Sequence, residues 1–160
     1  MRLSILTLIA LACLPQAAVA QSFIFLVRHA EKATGGDAKD PDLSEAGRAR
    51  AQALAAVLKD AGITAIYATE FKRTQQTAEP LAHALDLKTT ITPAKEVAAL
   101  VAQLKAATGN VLVVGHSNTV PEIAKAFGVL APPEIAEADF DNLFALIPGT
   151  PARFVRLHYR

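Results

Sequence analysis

Two short apolar runs constrain this chain more than any other feature. Residues 23–27 (FIFLV) and 111–114 (VLVV) are continuous, with no polar residue to face water. A strand apolar on both faces is buried on both faces, which points to a sheet with helices packed above and below it. The spacing predicts helices over 43–61, 72–85, 94–107 and 120–127. It predicts further strands over 63–68, 87–92, 143–147 and 153–157. Ser44 reads as the cap of the first helix, Gly47 as an imperfection in its first turn and Gly62 as its stop. Pro80 is expected to kink the second helix or to begin a new turn. Strand–helix alternation of this kind specifies an α/β, three-layer sandwich with a mostly parallel central sheet flanked by helices. The last two strands, around Pro148-Gly149, read as an antiparallel edge.

Residues 1–20 read separately, as an export signal. Arg2 supplies the positive start, residues 3–14 are almost unbroken apolar, and Ala18-Val19-Ala20 fits the small-x-small cleavage pattern. Cleavage is therefore expected after Ala20, leaving residues 21–160 as one domain in the periplasm or outside the cell. The apolar run is shorter than the roughly 20 residues that span a bilayer, so no stable membrane span is expected after cleavage. Lipoprotein anchoring at Cys13 is the weaker alternative, because Ala10 stands where a large aliphatic residue belongs. Cys13 is the single cysteine of the 160 residues, so the remaining chain has no thiol for a disulfide or a thiolate metal site. The net charge of +1 gives no electrostatic case for nucleic acid. Nothing in the sequence specifies an oligomeric state.

The chemistry is concentrated where strands end. Arg28-His29 follows the first apolar run directly, Gly115-His116-Ser117-Asn118 follows the second, and Arg73 comes shortly after the strand ending at Ala68. Ligands of open α/β sheets bind outside the carboxyl ends of the strands, so two His and two Arg are expected to converge on one pocket. Arg offers a planar fork of donors that matches phosphate oxygens. A neutral imidazole is a nucleophile, and neighbouring Arg charges disfavour its protonated form. Those cations also hold the equatorial oxygens as charge redistributes at phosphorus. Metal ligation by His29 and His116 is opposed by the same two Arg. Ser117 lacks the following Gly of a nucleophile elbow. Asn118 reads best as a helix cap, and His83 and His158 as surface groups.

Four segments together resemble the histidine phosphatase superfamily, which includes the cofactor-dependent phosphoglycerate mutases. They are Leu26-Val27-Arg28-His29-Ala30-Glu31, Leu43-Ser44-Glu45-Ala46-Gly47, Ala68-Thr69-Glu70-Phe71-Lys72-Arg73-Thr74-Gln75-Gln76-Thr77-Ala78, and Val113-Val114-Gly115-His116-Ser117-Asn118. Their order and spacing fit the family. The resemblance implies a phosphoglycerate mutase-like fold and a metal-independent phosphatase without a cofactor, acting on a small phosphorylated molecule. His29 would be phosphorylated, with Arg28, Arg73 and His116 gripping the phosphoryl group. Two positions depart from the pattern. Ala30 stands where Gly is common, a change expected to be tolerated. Ser117 stands where one branch carries its acid, and Glu96 lies at about the distance at which another branch carries a Glu. Glu31, Glu70 and Asp141 compete with Glu96 for that role. A missing acid matters less for good leaving groups such as phosphohistidine or an acyl phosphate. The alternatives are a non-catalytic phospho-ligand-binding module, a protein phosphohistidine phosphatase and, less compatible with export, a mutase.

Overall fold

The structure is a computed structural model that describes residues 22–35 and 37–160, so the expected export segment lies outside the described residues. Six strands and four helices alternate: β1 (Ile24–Arg28), α1 (Glu45–Leu58), β2 (Ile63–Ala68), α2 (Lys72–Ala84), β3 (Thr89–Ile91), α3 (Val97–Ala106), β4 (Asn110–Gly115), α4 (Thr119–Ala126), β5 (Asn142–Ile147) and β6 (Arg153–His158). Every expected element is present. The third strand is shorter than expected, because only Thr89–Ile91 pairs with β2.

The sheet order is β3-β2-β4-β1-β5-β6. Four neighbouring strands are parallel, and β5 and β6 are added antiparallel. The two fully apolar runs are therefore adjacent, β1 beside β4, in the middle of the sheet. Alternation along each strand sends side chains to opposite faces. Ile24, Leu26, Val111, Val113, Phe144 and Leu146 pack with Val97, Leu100 and Leu104 of α3 and Val120 and Ile123 of α4. Val27, Ile66, Leu112, Val114 and Leu143 pack on the other face with Leu54 and Leu58 of α1 and Leu81 of α2. This is the three-layer sandwich, with two helices on each face. Among the described residues, no helix is long and apolar enough to cross a membrane.

Ser44 caps α1, its hydroxyl accepting from the Gly47 N–H at 3.0 Å. Gly62 has a φ of +63°, the left-handed conformation that suits glycine after a helix. Pro80 lies inside α2, which continues through it to Ala84. Asn118 sits at the N-cap position of α4 but makes no capping bond through its side chain. Gly47 is a requirement of packing. A Cβ there would overlap the carbonyl of Glu31, so only glycine lets α1 lie against the chain that leaves β1.

Candidate active site

The register of the central strands brings the two histidines together. Arg28 pairs with Gly115, so the next residue of each strand, His29 and His116, emerges at the same height. The His29 N–H donates to the Gly115 carbonyl at 2.9 Å, extending the ladder by one bond. The two imidazole rings lie 5.4 Å apart, edge to face. Arg73 is carried in by the first turn of α2. Its helix has no side-chain cap of its own. Asp40 supplies one from the preceding loop, its carboxylate accepting from the Lys72 N–H at 3.0 Å and lying 3.8 Å from the Arg73 guanidinium.

Arg28, His29, Arg73 and His116 line one cleft of about 320 Å³, with Lys32, Phe71, Ala94, Ser117, Asn118 and Glu137. Convergence of the four expected residues follows from strand order together with the first turn of α2 after β2. Both guanidinium groups lie over aromatic rings, Arg28 at 4.5 Å from the Phe140 centroid and Arg73 at 4.3 Å from that of Phe71. Arg28 donates to the Ala136 and Glu137 carbonyls at 2.7 and 3.0 Å. The Nε atoms of Arg28 and Arg73 are buried with no partner. Buried unpaired donors are costly, and two of them at one cleft are ready for an anion.

His29 is fixed as a nucleophile would be. Its Nδ1 is 2.8 Å from the Ala30 carbonyl. A carbonyl only accepts, so Nδ1 carries the hydrogen and Nε2 keeps a free lone pair. Burial is the largest influence on this ring and pulls its pKa down to about 3, against the opposing pull of the Ala30 carbonyl. His116, Arg73 and Arg28 push in the same direction as burial. The arginines act in the expected direction, and desolvation is the larger effect. Burial likewise lowers His116 to about 4. The loop after His29 is clamped by α1: Ser44 N–H donates to the Glu31 carbonyl, and Arg50 grips the Glu31 carboxylate at 2.6–2.9 Å. The Ala30 methyl packs with Leu43 and Ala51, which gives the departure from Gly a place in the core.

The candidate acids are distributed differently. Glu96 is exposed at the start of α3 and does not line the cleft. Glu31 is paired with Arg50, Asp141 with His158, and Glu70 accepts from the Ala94 N–H at 2.7 Å. Among the described residues, the carboxylate lining the cleft is Glu137, 3.5 Å from Arg28. Sequence reasoning missed it, and missed Phe140, because the segment 128–141 has no regular structure and carries no periodic signal. Phe71 and the threonines of α2 lay inside a quoted motif but had no assigned part.

These histidines make stability depend on pH. Their folded pKa values of about 3 and about 4 lie below the ordinary 6.5, so between those limits the unfolded chain binds more protons. Stability is therefore expected to be full above pH 6.5 and to fall as the pH drops toward 4. One pKa unit is about 1.4 kcal/mol, so the loss amounts to several kcal/mol. Urea midpoints at pH 7 and pH 4.5 measure it. The difference should shrink when both histidines are replaced by Gln; an unchanged difference would assign the effect to carboxylates.

Residues 24–96 match the histidine phosphatase superfamily (branch 1). The protein histidine phosphatase SixA, complexed with tungstate, superposes with a TM-score of 0.72 at 20% identity, over 85% of this chain and 96% of that one. Mycobacterial glucosyl-3-phosphoglycerate phosphatase, in complex with inorganic phosphate, gives 0.67 at 18% identity, over 85% and 95%. Mycobacterial hydrolase 1 gives 0.67 at 17%, over 85% and 96%. At these identities the likeness establishes the fold. No curated protein matches the sequence.

Proposed function

We propose that this chain, whose residues 24–96 match the histidine phosphatase superfamily, is an exported phosphatase working through a phosphohistidine on His29. The observation that carries the reading is the pairing, in one cleft, of a neutral imidazole whose Nε2 is free with two guanidinium groups whose Nε donors are unspent.

In this reading the Nε2 lone pair attacks phosphorus and the bond to the leaving group breaks. Arg28, Arg73 and His116 hold the phosphoryl oxygens while charge moves onto them. Water then attacks the phosphohistidine, releasing inorganic phosphate and restoring the imidazole. No metal is needed, because the cations are supplied by side chains. The leaving group takes its proton from Glu137 or from solvent; Glu137 is 91% exposed, so it is poorly insulated for that task. That exposure favours substrates with good leaving groups, and gives a specific reason to keep phosphohistidine, the group named for the similar SixA, as a second reading.

Export rests on the sequence of residues 1–20. Mass analysis of the purified exported protein is expected to find Gln21 as its first residue. That mature protein, assayed against aryl and alkyl phosphates, phosphoramidates and acyl phosphates, is expected to turn over the classes with good leaving groups fastest. Binding of phosphate without turnover of any class would leave a phospho-ligand-binding module in place of an enzyme.

A further inference from the structure

Beside the cleft, a short buried relay reaches His116 from behind. Thr69 follows β2 and Thr74 lies in the first turn of α2; they are 6% and 0% exposed. The Thr74 hydroxyl is 2.7 Å from the Phe71 carbonyl and 3.1 Å from the Thr69 carbonyl. The two hydroxyls are 2.9 Å apart, and the Thr69 hydroxyl is 3.0 Å from His116 Nε2. A hydroxyl has one hydrogen and a carbonyl has none, so the 2.7 Å contact requires the hydrogen of Thr74. With its hydrogen spent, Thr74 accepts from Thr69. Thr69 then has none left, and the hydrogen between Thr69 and the imidazole belongs to Nε2. The reverse order would press unshielded oxygen lone pairs together in a dry site.

We propose that Thr69 and Thr74 are positioning residues that lock His116 as its Nε2–H tautomer, so that the ring takes up a proton at Nδ1 when a phosphoryl group binds. The proposal rests on the phosphatase reading for the phosphoryl group only; the tautomer is independent of it. Nδ1 has no hydrogen-bond partner among the described residues, and in the locked neutral ring it carries a lone pair. A phosphoryl oxygen is a poor neighbour for a lone pair and a good one for N–H, so His116 grips it as imidazolium. The charged and titratable groups around the ring are Arg73 of α2, Arg28 of β1, Glu70 after β2 and His29. Burial, Arg73 and Arg28 oppose protonation while Glu70 favours it, and an arriving dianion offsets the two arginines. Thr119 takes the backbone N–H of His116 at 2.9 Å, which fixes the ring's attachment without touching either ring nitrogen.

Long-range ¹H–¹⁵N spectra of the whole protein at pH 7 test this directly, with His116→Gln identifying the signals. The expected result is a protonated Nε2 and an unprotonated Nδ1, with both protonated once inorganic phosphate saturates the cleft. Thr69→Val should abolish the preference for Nε2–H and Thr69→Ser should restore it. Thr74→Val provides the same test from the far end of the relay. An Nδ1–H tautomer in the unsubstituted protein, or a tautomer unmoved in both valine variants, overturns the proposal. Phosphate bound beside a neutral His116 overturns the proton uptake. Failure of phosphate to bind at all counts against the phosphatase reading while the resting tautomer still stands or falls by its own spectrum.

Discussion

Replacing His29 with Ala is expected to slow hydrolysis of an aryl phosphate by on the order of 10⁴-fold or more, the scale seen when a covalent nucleophile is lost. Inorganic phosphate should still bind, because Arg28, Arg73 and His116 remain in the cleft. The same substitution vacates the space of a ring, so added imidazole should restore part of the rate. In the unsubstituted protein, rapid quenching after mixing with labelled substrate should trap a label that is stable in base and lost in acid, as a phosphohistidine is. Equal rates for the two proteins would remove His29 from the chemistry and transfer the question to another group in the cleft.

Gly47→Ala is expected to destabilise the protein by about 2–3 kcal/mol, the scale of an overpacked interior contact. Helix propensity alone predicts the opposite sign, a gain of about 1 kcal/mol. The difference lies in the Glu31 carbonyl, which a Cβ at residue 47 would overlap. That carbonyl also accepts from Ser44 N–H, and it belongs to the segment that sets the position of His29. Activity should therefore fall together with the urea midpoint. Ala49→Gly, on the exposed side of the same helix, is the control, and should cost about 1 kcal/mol with activity intact. A Gly47→Ala protein more stable than its parent would show that α1 can move away from the loop at little cost.

The features legible in the sequence were those written in local pattern. The apolar runs 23–27 and 111–114 read as buried strands because no polar face competes with burial. The residues that follow them, Arg28-His29 and His116, could be placed at one end of a sheet before any contact was known. Gly47 was misread as an imperfection because propensity describes a helix by itself, and the atom that requires glycine comes from another part of the chain. Glu137 and Phe140 were invisible for a related reason. They lie in an irregular segment whose path is set by Arg28 donating to the Ala136 and Glu137 carbonyls, more than a hundred residues away in sequence. Pro80 was expected to kink α2 or begin a new turn in it, and the helix runs on through it. In the fold, buried Thr77, Ala78, Leu81 and Ala82 anchor the helix on both sides of it.

The position of β1 between parallel β4 and antiparallel β5 has a consequence for how this protein can change. A strand hydrogen-bonded along both edges opens last, so the amides around residues 24–29 should be among the slowest in the molecule to exchange with deuterium. The walls that would meet a leaving group belong instead to the stretches around Lys32 and Glu137, outside the ladder. The backbone of those stretches holds Arg28 and the segment after His29, so their exposed side chains can be varied while their length and path are kept. A library varied there alone, built on an untouched sheet, would be a practical starting point for directing this scaffold toward other phosphorylated molecules.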